Sequence, residues 1–67
     1  MFYFPKAIKR YKLETDSKNS DISRETGSAM STVSNWCTGR AEPSLRLISE
    51  LCSRRNIKLS EFISWGE

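Results

Sequence analysis

Apolar residues recur at helical spacing along most of this chain, and no stretch shows the strict alternation expected of a half-buried strand. The first apolar stripe has the spacing i, i+4 and i+7 and consists of Phe4, Ile8 and Tyr11. Pro5 suits the first turn of a helix, where its missing N–H leaves no hydrogen bond unmade. We therefore predict a first helix from about Pro5 to Glu14, with Leu13 joining the core near its end.

The next segment predicts a short helix that depends on its neighbours. Residues 15–19 are polar and are typical of a turn, and a second helix is expected to begin at Ser17 or Lys18. Ile22 is its only strong apolar residue, so this helix cannot be stable alone and has to pack under another one. Gly27 is expected to end it, because glycine tolerates the positive φ of a helix C-terminus.

A third helix is predicted between this glycine and the next. It opens at Ser28 or Ala29 and ends at Gly39 by the same backbone chemistry. Val33 and Trp36 are three residues apart, so they share the face that is expected to be buried.

The remainder of the chain predicts two more helices. Pro43 and Ser44 start the fourth, and Asn56 is expected to terminate it. Its apolar stripe consists of Leu45, Ile48, Leu51 and Cys52, with Leu47 beside it. Residues 60–65 form a brief fifth helix with an apolar side. The predicted fold class is all-α, with five short helices.

Length and composition exclude several classes of protein. A chain of 67 residues corresponds to a single domain, residues 1–67, with a small core. No apolar run approaches the roughly 18–20 residues of a membrane span, and the N-terminus lacks the apolar core and cleavage site of a signal peptide. Two cysteines are too few for a disulfide framework. We therefore expect a cytoplasmic protein.

The sequence gives no support for catalysis or for a cofactor. The chain has no histidine, so neither a Ser–His nor a Cys–His pair exists, and a structural zinc site would lack most of its ligands. The carboxylates are scattered among polar residues, and the three glycines do not form a phosphate-binding loop. We expect no enzyme activity, no metal, no cofactor and no small-molecule ligand.

Charge is unevenly distributed along the chain. Residues 1–12 carry four basic groups and no acid, whereas residues 13–67 carry seven basic and eight acidic groups. The N-terminal segment is therefore the electropositive end, which suits contact with phosphates. The alternative is a charged helix face that serves only solubility.

The run from Gly27 to Gly39 contains no formal charge. With the apolar residues of this helix buried, its outward side is expected to carry Ser31, Ser34 and Asn35. Short polar side chains on an exposed helix, with basic residues elsewhere, suit the reading of base edges in a DNA major groove. A helix that is simply solvated on one face is the alternative.

The joint spacing of these features resembles the Cro/C1 repressor-type (XRE-like) helix-turn-helix domain. A helix, a tight turn at a glycine and a second helix occupy about residues 18–38, as in the helix-turn-helix motif. The residues that carry the resemblance, within about residues 8–63, are Ile22-Ser23, Gly27, the run from Ser31 to Trp36, Gly39, Pro43-Ser44, Ile48, Leu51-Cys52, Ile57, Leu59 and Glu61-Phe62. The resemblance implies a compact five-helix bundle of the lambda-repressor-like helix-turn-helix type.

The resemblance also implies which residues contact DNA. The third helix would lie in the major groove, where the residues that face base edges are Met30, Ser31, Ser34 and Asn35. The residues that would contact phosphates are Lys18 and Asn19 at the start of the second helix, Thr38 and Arg40 after the third, and Lys12 in the first.

Three positions depart from the family's pattern. Ala29 stands where a Ser or Thr usually caps the third helix, so Ser28 is expected to supply the cap. Thr26 replaces an aliphatic residue beside the turn. Arg55 replaces another in the fourth helix, where its stem is expected to cover the core while its head reaches water. These departures predict modest stability, or stabilisation by a partner chain.

The C-terminal segment, residues 57–67, is a candidate for self-association. Ile63 and Trp65 exceed what a small core needs once Phe62 is buried, and exposed apolar patches often mark association sites. We therefore predict a homodimer, at least on DNA, with Ile63 and Trp65 in its interface. The alternative is that Trp65 folds back over the first helix and completes a single-chain core.

Two functions are compatible with this sequence. The first is that of a sequence-specific, double-stranded DNA-binding transcriptional regulator of phage or bacterial origin, a small repressor that reads the major groove with its third helix. The second is that of an antitoxin or adaptor that uses the same fold to bind a protein partner. The basic residues favour the first. RNA binding is a weaker third option, since no exposed aromatic platform is evident.

Overall fold

Five α-helices and no strand make up the computed structural model, which describes all residues from 1 to 67. The helices are α1 (Phe4–Thr15), α2 (Asn19–Thr26), α3 (Met30–Thr38), α4 (Leu45–Arg54) and α5 (Leu59–Trp65). The predicted all-α fold is therefore confirmed. None of the helices is long and apolar enough to cross a membrane, since even α1 has only 12 residues.

The helix ends follow from local backbone chemistry. Gly27 and Gly39 end α2 and α3 in the left-handed region, with φ of 71° and 85°, as the sequence predicted. Asn56 has a positive φ of 57° just after α4. At the start of α4, the Ser44 hydroxyl accepts a hydrogen bond from the Leu47 N–H at 3.2 Å, which satisfies one of the free donors of the first turn.

The start of α3 differs from the prediction. Ala29 occupies the capping position and no side chain caps the helix. The Ser28 N–H instead donates to the Thr26 hydroxyl, and the Ser28 carbonyl accepts from the Ser23 hydroxyl. The prediction that Ser28 caps α3 was wrong because this residue closes the turn between α2 and α3. The first N–H groups of α3 are left free for an outside acceptor.

One core joins all five helices. α1 packs against α3 and α5, while α2 packs against α3 and α4. The buried apolar side chains are Phe4, Ala7, Ile8, Tyr11, Ile22, Val33, Trp36, Ile48, Leu51, Cys52 and Phe62. The Phe62 ring is central to the aromatic part, because its centroid lies 6.0 Å from Phe4, 6.2 Å from Tyr11 and 6.0 Å from Trp65.

Two leucines that were predicted to be in the core are at the surface. Leu13 is 75% exposed and Leu45 is 65% exposed. Leu13 follows buried Tyr11 by two positions, which turns it about 200° around α1 and away from the other helices. Leu45 belongs to the first turn of α4, whereas the buried part of that helix begins at Ile48.

Arg55 is exposed, as predicted, and its guanidinium also makes contacts that the sequence did not predict. Its guanidinium forms an ion pair with Glu25 and donates to the Ser17 hydroxyl at 3.3 Å. The two acceptors lie on α2 and just before it, so Arg55 ties the end of α4 to α2.

The N-terminal residues close over the end of α5. The Tyr3 N–H donates to the Gly66 carbonyl at 2.8 Å, and the Phe2 ring lies 6.3 Å from Phe62. Gly66 is buried, and a Cβ there would lie only 2.5 Å from the Phe2 ring. The two ends of the chain are therefore fitted against each other, a contact that the sequence analysis did not predict.

Candidate nucleic-acid interface

The two sides of α3 differ in burial. Val33 and Trp36 are buried against the core, as their spacing predicted. On the opposite side Met30, Ser31 and Ser34 are exposed. The candidate base-reading residues therefore form one continuous surface on this helix, with Asn35 half-buried at its edge.

The polar groups on this surface are available to a ligand. The hydroxyls of Ser31 and Ser34 and the amide of Asn35 make no hydrogen bond within the protein, whereas the Asn35 carbonyl accepts from Thr38 and from the backbone after α3. The Arg40 N–H, for example, donates to it at 3.0 Å. The backbone of Asn35 is thus fixed by the turn after α3 while its side chain is free to bind.

The start of α2 lies beside the end of α3. The Asn19 side-chain oxygen accepts from the Cys37 thiol at 3.6 Å, so Asn19 is half-buried rather than fully exposed. Lys18 is exposed, and its backbone N–H donates to the Asp21 carboxylate at 2.9 Å. The backbone N–H groups of Asn19 and Ser20 have no acceptor in the protein. This helix start therefore offers donors to an anion, next to a basic side chain.

The segment after α3 carries two more of the five candidate phosphate contacts. Arg40 is exposed and forms no ion pair. The Thr38 hydroxyl donates to the Asn35 carbonyl at 3.2 Å. Thr38 would have to release that hydrogen bond before it could donate to a phosphate, whereas Arg40 is ready to do so.

The last of the five candidate phosphate contacts, Lys12 on α1, belongs to a larger basic group. A cleft of about 370 Å³ lies between α1 and the end of α3, and Lys6, Lys9 and Lys12 border it together with Cys37. The charge of this segment suggested contact with phosphates, and Lys12 was the residue of α1 named for it. The spacing of the lysines at i, i+3 and i+6 was the available signal for a shared position.

The predicted dimer residues have different surroundings. Ile63 is 37% exposed. Trp65 is half-buried, with its ring against Phe62 and the Arg10 guanidinium 6.0 Å from its centroid. Trp65 thus packs against the core on the side of α1, and Ile63 is the more accessible of the two.

The remaining titratable groups do not form a second centre. No group of three or more His, Cys, Asp or Glu side chains could hold a metal ion. Cys37 and Cys52 are free thiols, and burial raises the pKa of Cys52. Burial and the Glu25 carboxylate also raise the pKa of Tyr11. Both shifts favour the neutral form, as expected inside a core.

The fold has a counterpart among solved structures. It is similar to a transcriptional regulator from Listeria innocua with a TM-score of 0.82 and 20% sequence identity, over 96% of this chain and 60% of that chain. The present chain thus spans about 60% of the length of that regulator. No protein-family model and no curated protein sequence matches the chain. At this level of identity the similarity shows that the two proteins share a fold.

Proposed function

We propose that this protein is a sequence-specific, double-stranded DNA-binding transcriptional regulator, a small repressor of the Cro/C1 type. The observation that carries the proposal is the outward side of α3. It is uncharged, its side chains Ser31, Ser34 and Asn35 are unbonded within the protein, and unpaired basic residues lie near the C-terminal end of the helix. The shared fold with a transcriptional regulator adds support.

The side chains of α3 offer specific chemistry to base edges. The free amide of Asn35 can pair with adenine through two hydrogen bonds, and exposed Met30 can pack on a thymine methyl group. Ser31 and Ser34 can donate to or accept from a base edge. These four residues are our candidates for the base contacts.

Contacts to phosphates would set the position of the protein on the duplex. The candidates with free donors are Lys18 and Asn19 at the start of α2 and Arg40 after α3. Lys12 would contact a phosphate from α1, and Thr38 would do so after exchanging its internal hydrogen bond. None of these contacts reads sequence, so together they account for affinity rather than specificity.

We also propose a homodimer on DNA, since one helix-turn-helix unit contacts few base pairs. Exposed Ile63 and half-buried Trp65 are its candidate contacts. Two recognition helices one DNA turn apart are separated by about 34 Å, and the protein measures 26 × 24 × 21 Å between Cα extremes. Two copies side by side can therefore span that distance. Repression would follow from occupying the site against polymerase.

A protein-binding role, as an antitoxin or adaptor, is the second candidate. The observation in its favour is the exposure of Leu13 and Leu45, two large apolar side chains on the surface. A pure protein binder would not need the unpaired basic residues around α3. Retention on heparin with a steep salt dependence therefore favours DNA, and salt-independent behaviour favours a protein partner.

Selection of bound sites from random duplex DNA tests the proposal directly. We expect enrichment of a two-fold symmetric sequence with half-sites about one helical turn apart. Enrichment of an asymmetric site would contradict the dimer alone. Binding without any enriched sequence would contradict specific recognition, and no binding at low salt would contradict the DNA-binding role.

A further inference from the structure

The cleft between α1 and the end of α3 has a mixed lining. Buried Ile8 and half-buried Pro5 and Cys37 give it an apolar side, while exposed Lys6 and Lys9 border its opening. Its volume of about 370 Å³ lies in the range of small-ligand sites. Apolar walls that hold converging charged groups bind an anion better than an open surface does, because solvent screening is reduced.

The lysines of this cleft have no counterion in the protein. All four ion pairs of the chain use arginines, and the one acid of α1, Glu14, is taken by Arg10 at 2.7 Å. The three lysines lie within seven residues of α1, at i, i+3 and i+6, so their mutual repulsion is unrelieved. An anion between them would relieve it.

Tyr3 adds a donor to the same cleft. Its backbone N–H is held by Gly66, and its hydroxyl points to the turn after α3, 3.7 Å from where a Cβ on Gly39 would lie. The hydroxyl makes no hydrogen bond within the protein. A phenol and several ammonium groups are donors with which proteins bind phosphate oxygens.

We propose that this cleft is a phosphate-binding site formed by Tyr3, Lys6 and Lys9 together with Lys12. This inference rests on the proposed function, because the phosphate comes from the DNA strand next to the segment that α3 reads. The cleft borders α3 at Cys37 and adjoins the turn that carries Arg40. Lys6 to Lys12 extend over about 9 Å of helix axis, enough to follow the backbone beyond a single phosphate.

A charge-matched pair of double variants tests the site. The test variant is Lys6→Gln with Lys9→Gln, and the control is Arg54→Gln with Lys58→Gln. The control removes the same charge from exposed, unpaired residues at the turn between α4 and α5. Untagged proteins are compared on one selected duplex over a range of salt concentrations. Circular dichroism and thermal unfolding check that both variants fold, which is expected because all four residues are exposed.

We expect the test variant to reduce the salt slope by about 2, roughly 1 for each lost phosphate contact. The control should keep the wild-type slope, and the preference among duplexes should stay the same in both. Tyr3→Phe, which keeps the ring, should weaken binding about 2- to 10-fold, as loss of one hydrogen bond does. A test variant that behaves like the control contradicts a DNA phosphate in this cleft.

A second arm distinguishes a phosphate of DNA from a free phosphate ester. Phenyl phosphate, whose ring suits the apolar side of the cleft, is titrated into the protein without DNA and followed by amide chemical shifts. Saturable shifts at residues 3 and 9 in the wild type that are absent in the test variant support the phosphate site. If the test and control variants nevertheless have the same salt slope on DNA, these shifts assign the site to a small phosphate ester. Equal slopes and no saturable shifts overturn the proposal. If the wild type binds no duplex at all, the proposed function fails, and the phenyl phosphate titration alone determines whether the cleft binds a phosphate.

Discussion

The half of the molecule that contains the chain ends and the half that contains α2 and α3 are held together differently. In the first half, the ring centroids of four residues lie 6.0–6.3 Å from the centroid of Phe62; these are Phe2, Phe4, Tyr11 and Trp65. Between α2 and α3 the buried side chains are only Ile22, Val33 and Trp36. We call the half around Phe62 the aromatic half. Because buried apolar area sets most of the stabilisation, we expect the aromatic half to stabilise the fold and the α2–α3 half to depend on it.

A hydrogen bond and an ion pair compensate in the α2–α3 half. The Thr26 hydroxyl donates to the Ile22 carbonyl at 2.8 Å, and Arg55 ties Glu25 to the end of α4. None of these contacts involves the side chains on the outer side of α3. Substitutions in the aromatic half should therefore change stability, and substitutions on the outer side of α3 should change binding alone.

The largest effect is expected for Phe62→Ala. Removing this buried ring should lower the free energy of unfolding by about 3–5 kcal/mol, which a domain of this size does not readily tolerate. Urea unfolding followed by circular dichroism measures it, and Ile63→Ala at the neighbouring, more exposed position is the control. A loss no larger than the control's would show that the aromatic half does not dominate stability.

A substitution at Gly66 tests the contact between the chain ends. Gly66→Ala brings a Cβ to 2.5 Å from the Phe2 ring, so we expect a loss of about 1–3 kcal/mol from overpacking. In a double-mutant cycle with Phe2→Ala, the cost of the extra methyl group should fall, because the Phe2 ring is gone and only the Tyr3 carbonyl, at 3.0 Å, remains close. Additive effects in that cycle would mean that the two residues do not meet.

Asn35→Ala should separate binding from stability. The free energy of binding to the preferred duplex should weaken by about 1–3 kcal/mol, while binding to random duplex changes little. The unfolding midpoint should stay at the wild-type value, since the lost amide has no partner in the protein. Fluorescence anisotropy on the two duplexes measures the difference. An equal loss on both would remove Asn35 from base recognition.

The smallest effects are expected at single phosphate contacts. Arg40→Ala and Lys18→Ala should each weaken binding to all sequences alike and reduce the salt slope by about 1. Arg54→Ala, a basic residue at the end of α4, is the matched control. Unchanged slopes for both variants would place the two residues outside the interface and narrow the DNA-binding side to α3 itself.

The order and bounds of the helices could be predicted because they depend on local chemistry. The helix ends at Gly27 and Gly39 follow from the tolerance of glycine for a positive φ. The burial of Val33 and Trp36 follows from the period of a helix. Leu13 was wrongly assigned to the core because the apolar pattern of α1 does not show which part of that helix the other helices cover. Ser28 failed as a cap because a shift of one residue decides which side chain faces the free N–H groups.

The candidate site divides in the same way. The outward side of α3 could be read from the sequence, since it is the complement of the buried face. The position of Tyr3 could not, because it depends on a contact between residues 3 and 66 at opposite ends of the chain. The ion pair between Arg55 and Glu25 could not be predicted either, since no periodic pattern in the sequence relates these two residues.

The hydrogen bond between Tyr3 and Gly66 makes the backbone nearly a closed ring. A linker of a few residues from 67 to 1 would complete that ring, so a circularly permuted chain, opened at the exposed turn between α4 and α5, should still reach the same fold. Anything fused to either end emerges at one point. That point lies beside Tyr3 and the basic cleft, so an affinity tag at either terminus would crowd the same surface in a DNA-binding assay.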